Sequence, residues 1–369
     1  MFFYVFHRTR FRTMRNPRTL LTFLACWTVW LLGCKQEPSA PAVIPPPPIE
    51  FTSTSVKFDV PLGLPELMIP KSNPLTAEKI DLGRKLFFDK NLSLDRSMSC
   101  ATCHDPEKGW SNDAQFAIGV TGDAGSRNVP TVVNSVYATR QFWDGRETTL
   151  ESQALGPLTN PIEMAMPSLD AVLERVREND EYVRDFQRAF DRAPTIKNLA
   201  KAIASFERII LLGDTPYDRY VSGDESAMSE SAIRGLTVFR KKGRCTECHK
   251  EPIFTDRQFY NLGIGMDAET PDVGRFAVTK IKSNIGRFKT PGLRNVTRTA
   301  PYMHDGSVKT LEEVIDIYDK GGIPNEHLSS QNIRKLELTK LEKADLLAFM
   351  VEGLTGNPAK PIEYTRVFE

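Results

Sequence analysis

The chain carries Cys-x-x-Cys-His twice, as Cys100-Ala101-Thr102-Cys103-His104 and as Cys245-Thr246-Glu247-Cys248-His249. Two thiols three positions apart could close a disulfide or form half of a zinc knuckle. Neither use explains an imidazole fixed immediately after each pair. In c-type haem attachment the thiols add to the two vinyl groups and the next residue places its imidazole under the iron. Every position is then employed, twice. Of six cysteines, Cys26 falls in the amino-terminal leader and Cys34 directly follows it, so each cysteine of the body belongs to a motif. The pattern predicts two covalently bound haems, with His104 and His249 as proximal ligands.

Each motif follows a segment with helical periodicity. Thr76 to Asp89 places Ile80, Gly83, Leu86 and Phe87 on one face; Glu230 to Lys241 repeats that spacing with Ala232, Gly235, Val238 and Phe239. A glycine in the middle of such a face allows another helix to cross closely. A candidate partner is Thr339 to Leu354, which opens with the capping pattern Thr339-x-x-Glu342 and stops near Gly353. Helix, Cys-x-x-Cys-His, loop and helix is the plan of a cytochrome c domain. Strand patterns are poor and Gly and Pro fall mainly between helices, so the expected fold is all-α, with two cytochrome c-like domains and the active site near their interface.

A length of 369 residues also suits two domains. The expected boundaries are 1–33 for a leader, 34–69 for a tether, 70–222 for the first haem domain and 223–369 for the second. Five arginines and no acidic residue precede a 14-residue apolar run, Leu20 to Gly33, which is short for a membrane span. That run ends in Leu31-Leu32-Gly33-Cys34, which resembles the lipobox of bacterial lipoproteins, in which the cysteine is lipidated. The expected location is therefore outside the inner membrane: periplasmic and anchored through Cys34, with a plain secretory leader as the alternative. Residues 38–48, "PSAPAVIPPPP", read as an extended tether. Loss of the leader takes the formal net charge from +1 to −4, which argues against nucleic acid and suits a basic redox partner.

From Pro70 to Leu354 the sequence resembles the bacterial dihaem cytochrome c peroxidases and the related MauG-type enzymes. The residues that carry the resemblance are "SCATCHDP", "RNVPTVVN", "FWDGR", "LGPLTNPIEM", "CTECH", "TPGLRNVTRTAPYMHDGS" and "TLEEVIDIYDKGG". It implies that Trp143 carries electrons between the haems and that Gln153 and Glu163 line the peroxide pocket. Glu163 would act as general acid-base and Gln153 would orient the bound oxygen species. It further implies a calcium ion held by Asn128 and the carbonyls of Thr299 and Pro301, and His304 beside a haem propionate. The partners implied are H2O2 and a small electron donor, a cytochrome or cupredoxin. Relatives often form dimers, although no interface pattern stands out here.

Two positions depart from the peroxidase pattern. Val120 stands where a histidine caps the first haem in typical peroxidases, so that iron is expected to be open without reductive activation. Tyr318 stands where a methionine covers the second haem, in a helix capped by Thr310 and Glu313, with Leu311, Val314, Ile315 and Tyr318 on one face and Gly321-Gly322 at its end. This resembles the MauG branch, where a tyrosine is the distal ligand; a core tyrosine, with Met303 or nothing on the iron, is the alternative. The functions in play are thus a peroxidase, a MauG-like oxidase of a protein substrate, and a plain dihaem electron carrier.

Overall fold

The computed structural model describes residues 54–356 and 361–367. The leader, its Cys34 and the proline tract lie outside the described residues. Residues 54–69, counted with the tether from sequence, are part of the fold. Thr54 is buried, and Ser55–Lys57 forms an antiparallel ladder with Thr365–Val367 near the carboxy terminus.

Two helix pairs organise the body, and each is set by a glycine. Helix Ala77–Phe88 is capped by the Thr76 hydroxyl, which accepts from the Lys79 N–H, and buries Ile80, Gly83, Leu86 and Phe87. It crosses helix Ile196–Glu207 so closely that a Cβ on Gly83 would lie 1.9 Å from the Ala202 carbonyl oxygen. Helix Glu230–Arg240 buries Ala232, Gly235, Val238 and Phe239 and crosses helix Lys340–Ala348, with the Gly235 position again 1.9 Å from a carbonyl oxygen, that of Asp345. The expected partner helix is therefore the observed one. Its Thr339 to Glu342 capping box is present, and a turn of π-helix, Phe349–Gly353, carries it to the expected stop.

Two apolar cores follow from these pairs. The first gathers Ile80, Phe87, Trp110, Phe186 and Phe206; the second gathers Leu236, Phe239, Phe254, Leu346 and Phe349. Tyr217, in the short helix Pro216–Val221, belongs to the second core. The chain thus changes cores before residue 222. Conversely Ile362 and Tyr364, counted with the second half from sequence, pack on the first core, where the Tyr364 hydroxyl donates to Asp81 at 2.5 Å.

The expectation of an all-α fold needs qualification. Helices form the cores, but helical content is moderate and long irregular loops join them, with a second small ladder between Phe259–Tyr260 and Phe288–Lys289. The loops after each motif hold their backbone groups by local bridges such as Gln141 with Glu147 and Tyr302 with Val308. These two tight loops match: Phe142 and Met303 both have φ near +70°, at 64° and 73°, and Gly145 and Gly306 close them at 67° and 61°. Among the described residues no helix is long and apolar enough to cross a membrane.

Candidate functional site

The two Cys-x-x-Cys-His segments are built alike. The His104 Nδ1 lies 3.3 Å from the Trp110 carbonyl oxygen, and the His249 Nδ1 lies 3.0 Å from that of Phe254. A carbonyl oxygen only accepts, so Nδ1 carries the proton and Nε2 keeps its lone pair free for a metal. Burial lowers the pKa of both imidazoles, which favours that neutral form. Each half also holds a triad of rings, and in the first Phe87 packs 6.5 Å from His104. Phe87, Trp110 and Phe206 pack with centroids 5.3 to 6.0 Å apart; Phe239, Phe254 and Phe349 pack at 5.3 to 6.3 Å.

All four cysteines are free thiols, and burial pushes Cys100 and Cys245 up to about 12 and Cys103 and Cys248 up to about 11. Among the described residues no cluster of three or more His, Cys, Asp or Glu side chains could hold a metal ion, so the donor set does not make a zinc knuckle.

A cavity of about 340 Å³, within the roughly 300–1,000 Å³ range of cofactor pockets, opens beside the second motif. Cys245, Cys248 and His249 line it, and so does the whole predicted face of helix Leu311–Asp319: Leu311, Val314, Ile315 and Tyr318. Tyr318 is half-buried, lines this space and has no hydrogen-bond partner among the described residues. Burial, followed by the two cysteines, raises the pKa of its phenol. Ionisation there would need a nearby positive charge. Met303 and Met350 line the cavity too.

Five of the residues the family resemblance singled out converge on the same space, and Gln153 and Glu163 do not. Trp143, Asn128, Thr299, Pro301 and His304 all line it. The Trp143 indole N–H donates to the Asn128 carbonyl at 2.8 Å. The His304 ring stacks on Phe288 at 3.5 Å, and burial pushes its pKa down to about 4, so it is neutral at pH 7 and can donate one N–H.

Glu163 sits by the first motif. Its charge acts on both Cys100 and Cys103, and burial raises its own pKa, opposed by a 2.7 Å hydrogen bond from Asn160 and by Arg146. Arg146 lies three residues beyond Trp143, so one short loop reaches from the second cavity to the Glu163 carboxylate. Val120 is held beside Glu163, its N–H donating to the Glu163 carbonyl at 2.9 Å. Gln153 ends the helix Leu150–Gln153 capped by Thr149, half-buried and without a side-chain partner among the described residues.

Sequence reasoning passed over several residues. Asn160 holds Glu163, and its place three positions before the glutamate was the available clue. Arg127 bridges Asp144 and Asp272 at 2.6 and 2.7 Å beside Trp143, a link between distant segments that no spacing could reveal. Lys289 in the second cavity was also missed.

The family described as di-haem cytochrome c peroxidase matches residues 77–226. The methylamine utilization protein MauG of Methylophilus methylotrophus is 40% identical over 311 residues, which cover 82% of this chain and 89% of the relative. A cytochrome-c peroxidase of Pseudomonas sp. (strain SCT) is 36% identical over 358 residues, covering 86% and 93%. The crystal structure of a MauG-like protein associated with microbial copper homeostasis superposes with a TM-score of 0.74 at 35% identity, over 81% of this chain and 95% of that one. The chain belongs to the dihaem cytochrome c peroxidase family, which includes MauG. It is a peroxide-dependent haem oxidoreductase of cytochrome c-like fold. In this dihaem peroxidase the residues fit haem: paired thiols, an imidazole with a free Nε2, and an apolar cavity of suitable size at the second motif.

Proposed function

We propose that the protein reduces H2O2 at a haem bound through Cys100, Cys103 and His104, with electrons entering through a second haem bound through Cys245, Cys248 and His249. Haem held at the first site would supply a redox-active iron for peroxide chemistry. Glu163 carries the reading. It is a carboxylic acid beside the first motif with its pKa raised by burial, so it is poised to take a proton from one peroxide oxygen and deliver it to the other. Asn160 fixes that carboxyl through the 2.7 Å bond, and Gln153 would orient the oxidant. Val120 offers no ligand, which leaves the first iron accessible. Trp143, anchored through its indole N–H, is the bridge for electrons from a cytochrome or cupredoxin.

A second reading, oxidation of a partner protein in the MauG manner, is favoured by Tyr318 sharing the cavity of His249. A tyrosinate over the second iron would hold its potential low and make it a poor acceptor from a ferrocytochrome. Calcium would be held by the Asn128 Oδ1 and the Thr299 and Pro301 carbonyls. The Asn128 amide nitrogen donates to Ala114 and Gln115, which leaves that oxygen free to ligate. Export and anchoring through Cys34 would place the enzyme in the periplasm, where its donors reside.

Stopped-flow addition of H2O2 to the ferric protein, wild type beside Glu163→Gln, tests the first reading: unchanged kinetics in the variant would end it. Steady-state oxidation of a ferrocytochrome by peroxide separates the two readings, because rapid turnover favours the peroxidase and its absence, with peroxide still consumed, favours the oxidase.

A further inference from the structure

The cavity beside the second motif has an unbalanced charge. Arg244, Arg257, Lys289, Arg294 and Arg334 line it, and none of its lining residues is an Asp or Glu. Four of these cations are already engaged. Arg294 is paired with Asp218 at 2.6 Å and Arg244 with Glu247 at 2.5 Å, while Arg257 donates to the Tyr137 carbonyl and Arg334 to that of Gln331. Lys289 has no ion pair and no side-chain hydrogen bond among the described residues. It is nevertheless half-buried in the cavity wall, and burial lowers its pKa to about 8. A buried ammonium without a partner is costly, and native proteins keep one where a ligand completes it.

The backbone shows what it is for. Lys289 lies on the ladder with Phe259–Tyr260, and its N–H donates to the Trp143 carbonyl at 2.8 Å. Its neighbour Phe288 stacks on His304. The residue is therefore fixed to the segment that joins the two sites and presented to the same space as Cys245, Cys248 and His249.

We propose that Lys289 is the charged partner of a haem propionate at the second site, and that its ammonium sets the reduction potential of that haem. The proposal rests on haem binding at Cys245, Cys248 and His249. A carboxylate is the anion this chemistry requires, and haem carries two. An ammonium near the iron favours the reduced state, because reduction removes one positive charge from its neighbourhood. Fixed also to the Trp143 carbonyl, Lys289 ties the haem edge to the bridge between the sites.

Spectroelectrochemical titration of the full dihaem protein tests this, with wild type, Lys289→Met and Lys289→Arg, each first shown by pyridine haemochrome to hold two haems. Fewer than two haems in the wild type would refute the haem reading itself. With two present, Lys289→Met is expected to lower the potential of one haem by at least tenfold in its redox equilibrium constant, about 59 mV for one electron. Lys289→Arg should retain most of the wild-type value. An unmoved potential in the Met variant, an equal shift at both haems, or an Arg variant that falls as far as Met overturns the proposal. Nitrogen-15 spectra of lysine-labelled wild-type protein provide a measurement independent of any variant. One slowly exchanging ammonium should move between the ferric and ferrous forms, and the absence of any such signal overturns the proposal as well.

Discussion

Replacing Gly235 by alanine tests the packing that holds the second site. The new Cβ would lie 1.9 Å from the Asp345 carbonyl oxygen and 2.8 Å from the Phe349 Cβ. Ordinary contact begins at 3.4 Å, so helix Glu230–Arg240 must retreat by about 1.5 Å from helix Lys340–Ala348. The obstacle is backbone, and no rotamer change relieves it. Overpacking of this kind costs roughly 1–3 kcal/mol or more, against a gain of about 1 kcal/mol from alanine's better helix propensity. We expect a net loss of about 2 kcal/mol, which for a body of about 300 residues is about 3 °C in Tm. Gly83→Ala meets the Ala202 carbonyl at the same 1.9 Å and should behave alike in the first half. Gly125→Ala is the control, since its nearest neighbour is 3.6 Å away. Scanning calorimetry of the dihaem protein reads the loss, and EPR reads which haem is disturbed: the second in Gly235→Ala, because Phe239 on that helix lines the cavity with His249, and the first in Gly83→Ala, because Phe87 lies near His104. A Gly235→Ala protein that melts within a degree of wild type, or a Gly125→Ala protein equally damaged, would refute the reasoning.

Other outcomes follow from the same geometry. Glu163→Gln should slow the reaction of the ferric protein with H2O2 by about 10²- to 10⁴-fold in stopped flow, the usual contribution of one general acid-base. EPR of the fully oxidised wild type should show a high-spin haem, and Val120→His, beside Glu163, should convert it toward low spin. Tyr318→Phe should abolish a tyrosinate charge-transfer band and raise the second haem's potential; a band that survives would exclude Tyr318 as the ligand. Glu207 is buried, its Oε2 lacks a hydrogen-bond partner, and burial raises its pKa from 4.5 to about 8. The folded protein therefore holds that proton more tightly than the unfolded chain, so stability should fall as pH rises from about 4.5 through 8. Melting temperature measured across that range should decline less in Glu207→Gln than in wild type.

What the sequence revealed was mostly local. Helices Ala77–Phe88, Glu230–Arg240, Leu311–Asp319 and Lys340–Ala348, the Thr310 and Thr339 caps and both crossing glycines follow from spacing, because a 3.6-residue period and a cap are properties of adjacent residues; the first crossing's partner, Ile196–Glu207, was not legible. The face of helix Leu311–Asp319 was legible in the same way, and all four of its predicted residues reach the cavity. Long-range pairings were not. Nothing near Arg127 announces Asp272, 145 residues away, and nothing in the tail announces that Tyr364 returns to Asp81. Lys289 was invisible for another reason: a lysine in a polar loop is normally solvated, and only the enclosure built by distant segments makes it unusual.

On the proposed reading, the duplicated frame lets one chain hold two haems with different duties. Both halves share the close helix crossing, the ring triad and the carbonyl that fixes the imidazole proton, so the proximal side is held nearly constant. The halves diverge in what surrounds the remaining coordination side. In the first, Val120 and the Glu163 carboxyl stand near the motif, a combination that on the proposed reading would leave access and supply a proton. In the second, a tyrosine and an unpaired ammonium line the cavity beside four engaged arginines, a combination that on the proposed reading would tune a cofactor. Exchanging one residue tests that division of labour. Val120→His should close the first site to peroxide while leaving the second haem's potential where it was, whereas a change in both would mean that the two sites do not act independently.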